Sequence, residues 1–278
     1  MCRMRRAVVW TACLATVLFV LDASTGFAQR IAAGFYGSAP PRFANSNSFQ
    51  GSFTFCRAMF SSNRREKRGW STDYPLAEIN FSIRLAELTK ARVARQPGGD
   101  RQPEYVVVRL TDPELSQCPY LLMEDAGTMR LDEREVSSLR DYLLKGGFIF
   151  VSDYWGELAR DQFDEEIGRV LPPHDYPIVD LPIEHAIFQG HFPMKELPQM
   201  PSIQSWRRSG GNTDRGVSDA PEARAIADRH GRLMVVMIHN SDIPDGWERE
   251  GEEREYFYRF SPDAYTVGIN VLLYAMTH

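Results

Sequence analysis

Apolar positions along the chain occur in short runs that alternate with stretches of helical spacing. Four runs have the length and the β-branched or aromatic content of buried strands, at residues 53–60, 105–110, 120–123 and 148–152. Leu76, Ile79 and Ile83 recur at spacings of three and four, which predicts one face of an amphipathic helix. Asp73 is its predicted cap, and Pro75 stands where a first-turn proline is tolerated.

Two further helices are predicted close to strands. Asp132 and Glu135 have the spacing of a capping box, before a helix that ends at Gly146-Gly147. Another helix follows the strand at 148–152 directly. Buried strands that feed capped helices are typical of a largely parallel sheet covered on both faces. The pattern therefore predicts a three-layer α/β fold with a mainly parallel, flavodoxin-like sheet.

The C-terminal part predicts a hairpin and a helix. Residues 223–228 and 233–239 flank a turn that contains Gly231. Residues 174–216 are predicted to form long loops around a strand at 176–181, and residues 240–255 a polar loop. Ser261-Pro262 is the predicted start of the last helix.

The N-terminal residues have the layout of a signal peptide. Three arginines in residues 1–6 precede an uncharged apolar run at 7–21 and small residues near Ala28, the expected cleavage site. We expect a signal peptide at 1–28, a flexible arm at 29–52 and a single α/β domain at 53–278. The mature protein would be periplasmic or secreted, without a transmembrane segment. An uncleaved N-terminal anchor is the alternative.

Composition narrows the class of protein. The chain has 278 residues, with 32 Lys and Arg against 37 Asp and Glu and a net charge of −5. This balance argues against a nucleic-acid partner. Two of the four cysteines lie in the predicted signal peptide. For Cys56 and Cys118, a disulfide in an oxidising compartment and two free thiols both stay open.

Acidic side chains follow two of the predicted parallel strands. Asp125 comes after the strand at 120–123, and Asp153 comes directly after the strand at 148–152. Ligands of open parallel sheets bind beyond the carboxyl ends of the strands. Carboxylates that face one crevice there suit acid/base chemistry or an oxygen-rich cation site. Helix capping is the competing explanation for both aspartates.

A histidine ends the predicted strand at 233–239, and an aspartate follows it three residues later. His239 and Asp242 can act as a base with its orienting acid or as a pair of metal ligands. A structural turn, with Asn240 in the left-handed conformation, explains the same residues.

The catalytic candidates are Asp153, His239 and Asp242. The candidates for ligand binding are Asp125, Tyr154, Trp155, Asn240 and Trp247. The tryptophans could stack on a sugar ring, with core packing as the alternative for each. No cofactor is predicted, although the acids leave room for a divalent metal of unknown identity.

Five motifs in order along the chain resemble the bacterial family called domain of unknown function 4159. They are residues 70–75 (WSTDYP), 146–156 (GGFIFVSDYWG), 239–242 (HNSD), 247–248 (WE) and 268–278 (GINVLLYAMTH). The resemblance covers residues 53–278. It implies an α/β fold similar to class I glutamine amidotransferases and to the sugar-associated ThuA-like proteins, and no established activity.

The resemblance to amidotransferases can be checked at one turn. Those enzymes carry a nucleophilic cysteine on the turn after a strand, where this chain has Asp153, and no cysteine follows Cys118. Thiol chemistry of that kind is therefore not expected. ThuA-like proteins tend to carry a histidine at this turn, which is also absent here.

Two functions of different class stay open, and with them the question whether the protein is an enzyme. The first is a periplasmic binding or assembly module that holds a glycan or an envelope protein. The second is a hydrolase of carbohydrate or another envelope substrate. It would use Asp153 and His239 as acid and base, and Asp125 and Asp242 to position water or a cation. The missing nucleophile favours the first.

Overall fold

Short β-branched and aromatic runs form the seven strands of one sheet. The computed structural model describes residues 39–63, 69–97 and 102–278, and the sheet lies within the unit Pro41–His278. The strands are β1 (Phe55–Met59), β2 (Tyr105–Arg109), β3 (Leu121–Glu124), β4 (Ile149–Ser152), β5 (Val179–Asp180), β6 (Glu222–Ala227) and β7 (Leu233–His239). Their order is β2-β1-β3-β4-β7-β6-β5.

The sheet is parallel except at one side. β2, β1, β3, β4 and β7 pair in parallel, whereas β6 and β5 run antiparallel to their neighbours. The prediction of a mainly parallel α/β sheet is confirmed, and so is the β6–β7 hairpin, whose turn has Gly231 at φ +83°. Five strands therefore present their carboxyl ends at the same end of the sheet, where a ligand site is expected.

Seven α-helices lie within the described residues. They are α1 (Leu76–Leu88), α2 (Glu133–Leu144), α3 (Glu157–Val170), α4 (Ala186–Gln189), α5 (Ile203–Ser209), α6 (Asp245–Glu248) and α7 (Arg254–Thr277). The capping box of α2 is present as predicted, with Asp132 accepting from the Glu135 backbone and Glu135 from that of Asp132. Among the described helices, none is both long and apolar enough to cross a bilayer.

The helices cover both faces of the sheet. On one face, Leu139 of α2 and Phe163 of α3 pack into an apolar cluster with side chains from β1, β3, β4 and β7. On the other face, the ring of Phe55 lies 5.4 Å from that of Phe81 in α1, and Phe81 lies 4.6 Å from Trp247 in α6. Burial of both faces explains the continuous apolar runs in the strands.

A disulfide joins Cys56 of β1 to Cys118, three residues before β3 begins. The two Cα atoms are 6.0 Å apart. Of the two states that the sequence leaves open, the structure has the bonded one.

The last helix begins earlier than predicted. It starts at Arg254, not at Ser261, and continues through Pro262. A proline inside a helix removes the hydrogen bond to the carbonyl four residues earlier, here that of Tyr258. Tyr258 itself is 66% exposed, so it lies on the solvent side of the helix.

The loop predictions are also corrected. The strand expected at 176–181 is only Val179–Asp180, because Pro177 and Pro182 flank it and proline cannot donate to a ladder. The stretch expected to be long loops contains the short helices α4 and α5, and the polar loop after β7 contains α6.

Asp73 does not cap α1 with its side chain. The cap position is Pro75, and no side-chain capping bond is made there. Asp73 has a φ of +62° and gives only its backbone carbonyl to the helix, as acceptor of the Ala77 N–H at 3.1 Å. Its carboxylate is therefore left for another role.

Some N-terminal predictions lie outside the described residues. These are the signal peptide and the first part of the arm (29–38). The rest of the predicted arm reaches the edge strand β2, where the carbonyl of Arg42 accepts from Val107 N at 2.7 Å and Ala44 N donates to Val107 O at 3.1 Å. This part lies along the sheet edge.

Candidate functional site

Three neighbouring strands end in polar residues at the same end of the sheet. β3 ends at Glu124 and is followed by Asp125, β4 is followed by Asp153, and β7 leads through His239 to Asp242. Because β3, β4 and β7 are adjacent and parallel, these turns lie side by side. The backbone N–H of Asp153 donates to Ser241 O at 3.1 Å, which ties the turn after β4 to the turn after β7.

Left-handed backbone conformations concentrate at this end of the sheet. Among the described residues, the non-glycine residues with positive φ are Asp73 (+62°), Asp125 (+48°), Asp153 (+52°), Arg215 (+53°) and Asn240 (+56°). Such conformations are uncommon outside glycine and tend to cluster at functional sites. Here they turn the side chains of residues after β3, β4 and β7 toward one region.

Five aspartates lie at this end of the sheet. We call the group Asp73, Asp125, Asp153, Asp242 and Asp245 the acidic rim.

One arginine bridges two members of the acidic rim. The guanidinium of Arg215 donates to Asp125 Oδ1 at 3.1 Å and to both carboxylate oxygens of Asp153 at 2.9 Å. Trp155 Nε1 donates to Asp153 Oδ1 at 3.2 Å. Burial raises the pKa of Asp153 to about 7; Arg215 opposes this shift and the charge of Asp125 adds to it. Asp153 can therefore exchange a proton near neutral pH.

The other three rim aspartates form a compact group, which we call the aspartate trio: Asp73, Asp242 and Asp245. One carboxylate oxygen from each lies within 4.8 Å of the others. Asp242 and Asp245 are buried, and Asp73 Oδ2 is buried without a hydrogen bond from any described N–H or O–H. Burial, and then the charge of neighbouring acids, raises the pKa of Asp73 and of Asp242 well above the usual range.

The third member of the trio, Asp245, and the nearby Glu248 also have raised pKa values. Burial raises the pKa of Asp245 to about 6, against hydrogen bonds from Tyr256 Oη and Ile203 N. Burial also raises the pKa of Glu248 to about 7, partly offset by Arg249. Buried carboxylates this close must share protons or hold a cation, because several unpaired negative charges cannot be buried together. The donor atoms are all oxygen, which suits hard divalent cations.

A fully buried arginine, Arg57, holds the turn that carries Asp73 of the acidic rim. Arg57 of β1 forms ion pairs with Glu78 of α1 and Glu124 of β3, and all three side chains are shielded from solvent. The same guanidinium donates to the carbonyls of Trp70 at 3.0 Å and Thr72 at 2.8 Å. It therefore holds the turn that presents Asp73 against the end of β3.

His239 lies apart from the aspartates. Its Nε2 contacts Gly156 O at 3.0 Å, its Nδ1 is 3.7 Å from Glu222 Oε2, and its ring centre lies 4.8 Å from that of Tyr154, with the two rings tilted by 43°. Burial lowers its pKa, against the contact with Gly156. The structure thus brings Asp153 and Asp242 together but turns the His239 ring toward β6 and the start of α3.

The remaining candidates support the turns or the core. Asn240 accepts from Gly156 N at 2.9 Å and donates to Ala220 O at 3.2 Å, so it fixes the turn after β4. Trp247 is fully buried against Phe81, and Tyr154 is fully buried beside His239. Trp155 is 5% exposed, which leaves little of its ring for stacking on a ligand.

Asp73, Asp245 and Arg215 were not predicted as site residues. Asp73 lies in the WSTDYP motif, where helix capping explained it, and Asp245 follows Asp242 by three residues in a segment predicted to be a loop. For Asp73, the signal in the sequence is its position within the WSTDYP motif. Arg215 lies in a stretch without periodicity, and no sequence signal distinguishes it from other surface arginines.

The fold and the rim define an α/β protein with an acidic site at the carboxyl ends of the strands of a parallel sheet and no free cysteine in its described part. The profile of the family "Domain of unknown function (DUF4159)" matches residues 60–276. The chain belongs to this family. No similar sequence is found among curated proteins.

Proposed function

We propose that the protein is an exported binding module that holds a divalent cation in the aspartate trio and, through this cation, a ligand of the cell envelope. The observation that carries the proposal is the trio itself, with three carboxylate oxygens within 4.8 Å. Among the described ion pairs, only Asp245 of the three has one, to Arg249 Nε at 3.6 Å. A bound cation would supply the missing positive charge.

The donor set favours one class of metal. Ca²⁺, Mg²⁺ and Mn²⁺ take carboxylate oxygens, whereas Zn²⁺ and copper prefer the nitrogen and sulfur ligands that this trio lacks. Three protein oxygens leave coordination positions open, because these cations take six or more ligands. Oxygen atoms of a glycan or of an envelope protein can fill those positions, which makes the cation the point of attachment.

Two features support export. Residues 1–28 have the charge and hydropathy pattern of a signal peptide. The disulfide between Cys56 and Cys118 is typical of proteins that fold in an oxidising compartment. Both features support the proposal that the protein acts in the periplasm or outside the cell.

A titration of divalent cations tests the proposal. We expect Ca²⁺, Mg²⁺ or Mn²⁺ to raise the melting temperature of the purified protein and to bind with one ion per chain in calorimetry, since ligands that bind only the native state stabilise it. Asp242→Asn and Asp245→Asn should each weaken binding by at least tenfold. Asp161→Asn, a substitution of an exposed aspartate on α3, is the matched control and should leave binding unchanged. Absence of binding by the wild type would refute the proposal.

A hydrolase is the second candidate, and one observation favours it. Asp153 follows β4 in a left-handed turn, and its pKa is raised to about 7, which suits a general acid or base at neutral pH. A hydrolase of this kind would lose activity on envelope polysaccharide in Asp153→Asn, with an acidic limb of the pH profile near 7 in the wild type. Unchanged turnover in that variant would remove Asp153 from the mechanism.

A further inference from the structure

The loop between α5 and β6 delivers Arg215 in a fixed orientation. Asp214, next to it, accepts hydrogen bonds from Ser202 N at 3.1 Å, from Ser205 Oγ, and from Arg215 N at 2.6 Å. Ser202 also caps α5 through Ser205 N. The turn that carries Arg215 is therefore anchored to the start of a helix.

The Arg215 side chain contacts the rim and is partly exposed to solvent. Two of its nitrogens bind Asp125 and Asp153, while 33% of the side-chain surface stays exposed. An arginine offers five N–H donors in one plane, and three hydrogen bonds to the two carboxylates are made here. The Nε–H group and part of the Nη1 donor capacity take no part in these three bonds.

Arg215 is connected to the aspartate trio through the turn after β4. Its guanidinium binds the Asp153 carboxylate, and the Asp153 N–H donates to the carbonyl of Ser241, the residue before Asp242. A cation in the trio and the Arg215 guanidinium would therefore be two positive centres at one site. Planar guanidinium groups and hard cations both bind phosphate and carboxylate oxygens well.

We infer that Arg215 determines the ligand class of this site: the ligand carries an oxyanion, which binds between the unused N–H groups of the Arg215 guanidinium and the cation in the aspartate trio. This inference rests on the proposed function, because without the cation the carboxylates of the rim would repel an anion. It separates a phosphate- or carboxylate-bearing ligand from a neutral glycan, which gains nothing from a guanidinium charge.

A purely structural role for Arg215 predicts a different response to anions. If Arg215 only neutralises Asp125 and Asp153, its removal increases the negative field at the trio and strengthens cation binding. Anions would then have no effect on the wild type. Coupling between cation binding and anion binding therefore separates the two roles, because a structural role of Arg215 would produce none. The coupling has to be reciprocal: each ligand tightens the binding of the other by the same factor.

The experiment measures Mg²⁺ and Mn²⁺ binding to the purified protein by calorimetry at constant ionic strength, alone and with inorganic phosphate, acetate or methyl glucoside. For the wild type we expect phosphate, acetate or both to tighten cation binding about tenfold, and methyl glucoside to leave it unchanged. Enhancement by phosphate alone would identify a phosphate-bearing ligand. Enhancement by both anions would identify oxyanions in general.

Variants of Arg215 complete the test. Arg215→Gln should bind the cation at least as tightly as the wild type but show no enhancement by anions, and Arg215→Lys should keep part of it. Arg134→Gln, on the exposed surface of α2, is the control. Cation binding without any anion effect in the wild type would overturn this inference alone. No cation binding by the wild type would overturn the proposed function, and this inference with it.

Discussion

The backbone N–H of Asp153 donates to the carbonyl of Ser241 at 3.1 Å. This hydrogen bond helps to join the turn after β4 to the turn after β7, beyond the last paired residues of the two strands. Ser152 strengthens the junction, because its hydroxyl donates to the same carbonyl at 3.0 Å and accepts from Ile243 N at 3.2 Å. The positions of Asp153 and Asp242 at the acidic rim follow from this junction.

Ser152→Ala should destabilise the protein. The side chain is fully buried, and its removal leaves the Ile243 N–H without its acceptor. An unsatisfied buried donor costs about 1–3 kcal/mol. We expect a loss of that size in the free energy of unfolding, measured by urea denaturation. Ser116→Ala, at an exposed hydroxyl, should change it by less than about 0.5 kcal/mol. Equal stability of the two variants would contradict this role for Ser152.

The aspartates after strands could be predicted from the sequence because strand ends are readable from apolar runs. Asp125, Asp153 and Asp242 each follow such a run, and parallel pairing brings them to one end of the sheet. Asp73 could not be placed in the same way. Its approach to Asp242 joins segments far apart in the chain and depends on Arg57, whose ion pairs and hydrogen bonds to Trp70 and Thr72 are tertiary.

The direction of the His239 side chain could not be predicted from the sequence either. A strand alternates its side chains between faces, but the left-handed conformation of Asn240 interrupts this alternation between His239 and Asp242. The two side chains therefore need not share a side, and they do not: His239 contacts Gly156, while Asp242 joins Asp73 and Asp245.

Removal of the disulfide should cost much of the stability. Cys56 and Cys118 are 62 residues apart in sequence, and closing a loop of this length is worth roughly 4 kcal/mol in the chain-entropy estimate. We expect the double variant Cys56→Ala/Cys118→Ala to lose up to about that amount in urea denaturation. As a control, dithiothreitol during unfolding should lower the midpoint of the wild type and leave that of the double variant unchanged. A midpoint of the wild type that does not respond to reductant would contradict the prediction.

Gly268→Ala should disturb the packing under the acidic rim. A Cβ atom at this position would collide with the Trp247 ring and come within 2.6 Å of Phe81. Overpacking of a tight core costs about 1–3 kcal/mol, which should appear in the unfolding free energy. Gly251→Ala is the matched control, because a Cβ atom there meets nothing within 4 Å. If Gly268→Ala were as stable as the wild type, the Trp247 ring would have to move aside without a cost in free energy.

Stability should fall as pH rises, contrary to the usual behaviour of proteins with paired carboxylates. Burial raises the pKa of Asp245 to about 6, and of Asp153 and Glu248 to about 7, above the usual carboxyl value near 4. Between these values the native state holds more protons than the unfolded state, so the free energy of unfolding decreases with pH. The contribution is complete near pH 4 and is lost progressively up to about pH 7.

The divalent cation should reverse this dependence. Without metal, and in the presence of a chelator, we expect a melting temperature several degrees higher at pH 5 than at pH 8, measured by calorimetry. Saturating Ca²⁺ or Mg²⁺ should stabilise the ionised carboxylates and raise the melting temperature at pH 8 more than at pH 5, because protons and cation compete for the same oxygens. Asp153→Asn should reduce the metal-free dependence, since Asp245 and Glu248 still contribute, whereas Asp161→Asn should leave it as in the wild type. Metal-free stability that increases from pH 5 to pH 8 would mean that the rim carboxylates are ionised in the native protein at low pH, and that neither protons nor a cation are needed to bury them.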